Sequence, residues 1–224
     1  MSRVVHLGSE AVPIWPEGQT FDTLDGILHF TRFTDTDLYH SRLKRAILEK
    51  EQQASGVKRY GRSGGGNKVY YFDRWDCPEA TLVHERALEF FRRALKRTTA
   101  VADNLWANVS RDGDYCKPHS HHRTTASLVY FLDPGDEDVD DPEAGRFCIV
   151  DPRLAQCCAL EEGHVTDPLY ADMTPGSLIM FPGAVVHAVN PYHGKRPRIT
   201  LAWNINDTVV EGSPFTPGDE PRPT

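Results

Sequence analysis

Apolar and polar positions change period along this chain, and the change divides it. Residues 1–35 carry short apolar runs broken by Pro13, Pro16, Gly18 and Gly26, with strand-like pieces around 4–7 and 27–33. Thr34-Asp35-Thr36-Asp37 then offers N-cap candidates for a helix running to about Gln53. Its apolar positions Leu38, Tyr39, Leu43, Ala46 and Ile47 form one stripe, with Arg, Lys and Glu elsewhere. A second helix opens at Asp76-Cys77-Pro78, where proline suits the first turn, and reaches about Lys96. Val83, Ala87, Phe90, Phe91, Ala94 and Leu95 make its buried side, and His84 falls among exposed positions as a surface histidine. Between the helices, 54–68 reads as a flexible loop. Gly64-Gly65-Gly66 does not follow a strand and open a helix, so it is no phosphate loop. Lys58, Arg59 and Arg62 read as solvated charge, with a mobile lid as the alternative. Residues 69–72 read as strand or loop.

From Leu105 the texture shortens. Runs at 105–109, 127–132, 146–150, 156–160, 177–181, 187–190 and 198–205, with one more around His119, make eight strand candidates separated by Gly and Pro. That spacing indicates a β-sandwich, jelly roll or barrel. No internal repeat is visible.

Composition narrows the class. A chain of 224 residues suits one domain, or one core with an N-terminal layer. The net charge of −7 disfavours a general nucleic-acid binder. No apolar run reaches the roughly 18 residues of a membrane span, and residues 1–8 lack a secretory apolar segment. Five cysteines, an odd count with no metal-type Cys-x-x-Cys spacing, point to reduced thiols and a cytoplasmic protein. The adjacent Cys157 and Cys158 are not expected to bridge each other.

Two stretches concentrate the candidate chemistry. His119 and His121 are two residues apart, so an extended strand points both imidazoles to one face and His122 to the other. His187 follows on a later run, and Arg198 comes eleven residues after it. Three imidazoles from two segments suit Fe(II), Zn(II) or Cu(II), and the arginine adds a cation for an anionic cosubstrate. Other features carry less. The 133–143 segment holds seven carboxylates without calcium-loop spacing and reads as a solvated loop. Trp106 and Trp203 read as core or rim aromatics, His164 and His193 as loop residues. No Ser-His-Asp or Cys-His arrangement has motif support.

Asn108, Gly113-Asp114-Tyr115, His119-x-His121, Ser127-Leu128-Val129-Tyr130-Phe131-Leu132, Pro175-Gly176-Ser177 through Phe181-Pro182, His187-x-Val189 and Arg198-Ile199-Thr200 stand in a fixed order. As a set they resemble the Fe(II)- and 2-oxoglutarate-dependent oxygenases, in the branch near prolyl-4-hydroxylase-like enzymes, over about residues 104–206. The resemblance implies a mainly β fold: a double-stranded β-helix (jelly roll) core with N-terminal helices packed against it. A single oxygenase domain then covers 1–224, with supporting strands and helices over 1–100, the core over 104–206 and a tail over 207–224. It implies metal ligation by His119 and His187. The usual triad has Asp where His121 stands, so a three-histidine site is expected. Arg198 would pair bidentately with the distal carboxylate of 2-oxoglutarate, assisted by Thr200, while Asn108 and Ser127 give polar lining beside Val129 and Phe131. Related enzymes often have Tyr at the position of Phe131.

The expected activity is oxidation, by default hydroxylation, of a C–H bond in a small molecule, amino acid or peptidyl substrate, using Fe(II), 2-oxoglutarate and O2. Two alternatives stand beside it: a three-histidine dioxygenase that ignores 2-oxoglutarate, and a non-catalytic cupin-like binding module. Arg198 favours the first reading, because a buried guanidinium is costly without an anion partner. Neither nucleic acid nor membrane is expected as a partner, and the sequence leaves room for a homodimer.

Overall fold

The computed structural model describes residues 3–53, 65–159 and 165–209. In chain order the elements are β1 (Val4–Leu7), β2 (Glu10–Pro13), β3 (Asp22–Leu24), β4 (Leu28–Arg32), α1 (His40–Gln53), β5 (Asn67–Tyr70), α2 (Pro78–Leu95) and β6 (Val101–Ser110). Then come β7 (Cys116–His119), β8 (Ala126–Asp133), β9 (Phe147–Ile149), β10 (Leu169–Tyr170), β11 (Ser177–Pro182), β12 (His187–Val189) and β13 (Arg198–Asn206). The chain is mainly β, and its strand pairs are antiparallel. One sheet has seven strands in the order β3-β4-β11-β8-β13-β6-β5, and a second has four in the order β10-β9-β12-β7.

Alternation along β8 shows how the layers form. Leu128, Tyr130 and Leu132 join a core cluster with Leu43 and Ile47 of α1 and Phe90 and Phe91 of α2. Val129 and Phe131 join a second cluster with Phe147 and Ile149 of β9, between the two sheets. A strand in mid-sheet is thus buried on both faces, which is why its sequence is apolar throughout. Each fully buried Leu or Phe contributes about 1.5–3 kcal/mol, so these clusters fix the sheets' mutual placement.

Several expectations need correction. The 34–37 segment does not cap α1 through a side chain; a 3-10 turn at Thr36–Leu38 precedes the helix. Asp35 instead receives two hydrogen bonds from the buried Arg86, at 2.8 and 2.6 Å. Residues 54–64 of the expected loop, with Lys58, Arg59 and Arg62, lie outside the described residues, while Asn67 and Lys68 belong to β5 and pair with β6. Over its described residues, 156–159, the 156–160 run makes only an isolated bridge from Cys158 to Thr166 and no strand. Asp151 and Leu154 start successive tight turns through Leu154 N–H and Cys157 N–H, giving a 3-10 turn at Ala155–Cys157. His84 is not a surface residue: Trp203 Nε1 donates to its Nδ1 at 3.2 Å, and burial lowers its pKa. The helix periodicity hid this because α2 buries a wide arc, including Leu82, Arg86 and Leu88.

Behind β8 lies a directed hydrogen-bond chain. Arg86 Nη1 donates to Tyr39 Oη (3.0 Å), Tyr39 and Tyr130 hydroxyls meet at 2.8 Å, and Tyr130 Oη lies 2.6 Å from His40 Nε2. Arg86 can only donate, so the chain is consistent when His40 Nε2 accepts and the imidazole is neutral. Burial pulls the His40 pKa down to about 4, against the opposing field of Asp133, Asp35 and Asp37. The unfolded chain therefore binds a proton near pH 6.5 that the folded chain refuses until about pH 4. Stability should fall as pH drops through that window, by on the order of 2 kcal/mol from this residue. Denaturant titrations at pH 7 and 4.5 should show His40→Gln narrowing the difference; an unchanged difference would remove His40 as the cause.

Candidate active site

His187 opens β12 and pairs across the ladder with His119, the last residue of β7. His121 lies past the end of β7, so a regular strand is not what aims it inward. A backbone clamp does this instead: His121 N–H donates to Gly183 O at 2.7 Å, and Gly183 N–H donates to Thr125 O at 3.3 Å. A Cβ on Gly183 would stand 2.4 Å from Thr124 O, so the approach admits only glycine. The ligand atoms of His119, His121 and His187 consequently lie within 4.8 Å of one another, with His121 Nε2 and His187 Nε2 3.3 Å apart. His122 is exposed and is not part of this group.

Backbone carbonyls set the tautomers. His119 Nδ1 lies 2.8 Å from Lys117 O, and His187 Nδ1 lies 3.0 Å from Val185 O. An N–H donated to each carbonyl leaves Nε2 with its lone pair turned to the shared point, the usual support for a metal-binding histidine. Burial, and then the neighbouring His119, hold His187 well below the ordinary histidine pKa, which keeps it in the ligating neutral form.

The histidines line a partly open cavity whose wall also includes Trp106, Asn108, Ser127, Val129, Phe147 and Arg198. Arg198 is 2% exposed; its Nη2 lies 3.7 Å from Met173 Sδ, and its buried Nε finds no acceptor among the described residues. Burial pulls its pKa down to about 10, partly opposed by Tyr192 and Cys116. No carboxylate is among the described residues lining this cavity. Thr200 lies two positions on along β13, and Asn108 Nδ2 donates to its Oγ1 at 3.2 Å. Trp106 Nε1 donates to Asn108 Oδ1 at 2.9 Å, which fixes the amide's orientation. Ser127 reaches the cavity wall but donates its hydroxyl to Asn204 at 3.1 Å. Phe131 instead packs on Phe147 with ring centroids 6.1 Å apart.

Residues 104–204 match the model of the family described as "Putative 2OG-Fe(II) oxygenase". Over those residues, somewhat less than half of its length, the chain is similar to the 2OG-Fe(II) oxygenases. A Pseudomonas putida prolyl-4-hydroxylase is similar in structure at 18% identity, over 79% of this chain and 90% of that one, with a TM-score of 0.57. The collagen prolyl hydroxylase of Paramecium Bursaria Chlorella virus-1, solved as a 2OG complex, aligns at 12% identity over 86% and 98%, TM-score 0.54. HygX from Streptomyces hygroscopicus, solved with nickel and 2-oxoglutarate, aligns at 12% identity over 82% and 84%, TM-score 0.54. At these identities the likeness is one of fold. No curated protein matches in sequence.

The oxygenase family uses Fe(II), 2-oxoglutarate and O2, and the residues present fit that set. Three converging imidazoles can take a divalent ion, and a buried guanidinium with an unsatisfied Nε asks for an anion. Several residues that shape this site were not singled out from the sequence. Lys68 and Phe147 line the cavity, and Gly183 holds the His121 turn. Asp151, 1% exposed, accepts from Val186 N–H at 3.0 Å and so steadies the turn into His187. The acidic 133–143 segment is partly paired, not merely solvated: Asp133 bonds Lys44, and Asp136 takes Arg196 Nε at 2.6 Å. His193 lies 3.2 Å from Asp112 in a loop, and His164 is outside the described residues. No helix among the described residues is long and apolar enough to cross a membrane.

Proposed function

We propose that this oxygenase hydroxylates a C–H bond of a small-molecule or peptidyl substrate, with Fe(II) held by His119, His121 and His187 and 2-oxoglutarate anchored by Arg198. The two facing sheets form a double-stranded β-helix, with His119 and His187 on the smaller sheet, His121 on the turn after it and the arginine on the larger. One observation carries the reading: Arg198 is a fully buried cation, without a carboxylate neighbour among the described residues, on the wall of the cavity that the histidines share. Iron held by His119, His121 and His187 would supply activation of O2 coupled to decarboxylation of the keto acid. The chain's part is orientation and exclusion of water. Arg198 offers a planar fork to the distal carboxylate, Thr200 adds a hydroxyl, and Asn108 holds that hydroxyl in place. Val129, Phe147 and Phe181 give the cavity an apolar wall, which strengthens these charge-assisted contacts.

The test supplies apoprotein with Fe(II), 2-oxoglutarate and O2 and omits each in turn. Succinate should form only with all three present, and none from the complete mixture would sink the proposal. His121 favours one second reading, a three-histidine dioxygenase that binds substrate directly. O2 uptake that needs Fe(II) and an organic substrate but no 2-oxoglutarate would establish it.

A further inference from the structure

Between β11 and β12 the chain turns through residues 183–186, and Val185 N–H closes this turn on Pro182 O at 2.9 Å. Two carbonyls of the turn support metal-site histidines. Gly183 O takes His121 N–H at 2.7 Å, and Val185 O lies 3.0 Å from His187 Nδ1. Two other groups of the same turn bond a separate pair of side chains. Ala184 O accepts from Arg153 Nη2 at 2.6 Å, and Val186 N–H donates to Asp151 Oδ2 at 3.0 Å. The turn is thus held from one side and holds the ligands on the other.

Asp151 and Arg153 are joined to each other: Arg153 Nε donates to Asp151 Oδ1 at 2.8 Å, and Nη2 donates to Oδ2. They follow β9, which pairs with β12 at Ile149 and His187; one step beyond, Val150 N–H donates to Val186 O at 2.9 Å. The ion pair therefore takes over where the ladder runs out. Its two members differ in exposure, 1% for the Asp151 side chain and 64% for that of Arg153. An exposed pair would contribute little. Here the carboxylate is buried, and losing its cation would leave an uncompensated charge. The planar fork also lets one guanidinium serve both carboxylate oxygens and the Ala184 carbonyl, which an ammonium cannot match.

We infer that Asp151 and Arg153 are positioning residues for the metal site: their ion pair braces the 183–186 turn and so sets His121 and His187 together. The inference rests on the proposed ligation by the three histidines. Neither residue lines the cavity. Both act through the carbonyls of Gly183 and Val185, the supports behind the ligands. Because those carbonyls belong to one turn, slack in it displaces two ligands at once. His119 takes its support from Lys117 O, outside the turn, and should keep its own orientation.

The test titrates Co(II) into metal-free protein, where the visible bands report ligand number and geometry without turnover. Arg153→Met should lower Co(II) affinity by about 10–100-fold and change the bands. Arg153→Lys, which keeps the charge but not the fork, should recover part of both. Asp151→Asn keeps an oxygen for Val186 N–H and should lose less than Asp151→Ala. Arg111→Met breaks another bidentate pair, with Glu51 at 2.5 and 2.8 Å, and should bind Co(II) with the parent's affinity and bands. Melting transitions identify the folded variants, and Arg153→Lys and Asp151→Asn carry the test if the larger truncations do not fold. A second readout needs no metal: nitrogen–proton correlation spectra should show His187 protonated at Nδ1 in the parent and as mixed tautomers in Arg153→Met, with the His119 signals unchanged. Parental affinity and bands in folded Arg153→Met, or an equal loss in Arg111→Met, would overturn the inference. A parent that binds no Co(II), yet shows the His187 tautomer change in Arg153→Met, would uphold the brace and refute the metal assignment.

Discussion

Arg198→Ala is expected to remove measurable 2-oxoglutarate binding while leaving the metal in place. Truncating one partner of a buried charge pair costs about 2–5 kcal/mol, a loss of roughly 30- to several-thousand-fold in affinity. The histidines sit on β7, on β12 and on the turn clamped by Gly183, and none of these elements includes Arg198. Metal stoichiometry should therefore match the parent. The substitution should also act in the opposite direction on the protein without cosubstrate. There the guanidinium is buried without an anion, and burial already weakens its hold on the proton. Arg198→Met, close in volume and uncharged, should raise the melting temperature of the metal-loaded protein without 2-oxoglutarate and abolish the further rise that 2-oxoglutarate gives the parent. Arg198→Lys should restore only part of the affinity, since an ammonium lacks the planar fork. Calorimetric titration of 2-oxoglutarate into Ni(II)-loaded variants measures the affinities of the Ala and Lys variants, and thermal melting with and without 2-oxoglutarate checks Arg198→Met. An Arg198→Ala protein that binds 2-oxoglutarate like its parent would end the assignment.

Elements with strong periodicity were legible in the sequence. The α2 pattern from Pro78 onward and the apolar runs that became β6, β8, β11 and β13 each carry a repeat that packing enforces. The shortest elements were not. Leu169–Tyr170 pairs with β9 over only two residues, too few for any alternation to show. The 156–160 run has strand-like composition, yet over its described residues, 156–159, local turns that begin at Asp151 leave only an isolated bridge at Cys158. Asp35 was misread because capping and ion pairing use the same carboxylate. Only the tertiary arrangement shows that Arg86, distant in sequence, claims it.

The metal-site candidates were visible in the sequence because three histidines and an arginine stand at informative spacings. Their supports were less visible, since a hydrogen bond to a backbone carbonyl leaves no mark on residue type. Lys68 looked like part of a flexible loop; its pairing with Asn108 depends on where β6 ends up in the sheet. His121 was favoured over His122 by supposing a strand that continues past His119. The structure brings His121 to the other two histidines by a different cause, the close approach of Gly183 to the turn.

That cause can be tested apart from the ligands themselves. Alanine at His119, His121 or His187 should each lower divalent-metal affinity by more than the roughly 10–100-fold typical of losing a supporting contact. The loss should be largest at His187, 4% exposed and fixed by Val185 O, where truncation also leaves a void. His122→Ala should bind metal like the parent, because its side chain is exposed. Gly183→Ala removes no ligand, yet its methyl group would need the space 2.4 Å from Thr124 O. Backbone atoms cannot rotate away as a flexible side chain does, so the 121–125 segment must move. A ligand displaced by about 1 Å is enough to spoil a site. Metal affinity of Gly183→Ala should therefore drop by about 10–100-fold, with circular dichroism and the melting transition confirming a folded protein. Full affinity in a folded Gly183→Ala protein would show that the clamp does not place His121. Full affinity in His121→Ala would go further and reduce the site to two histidines.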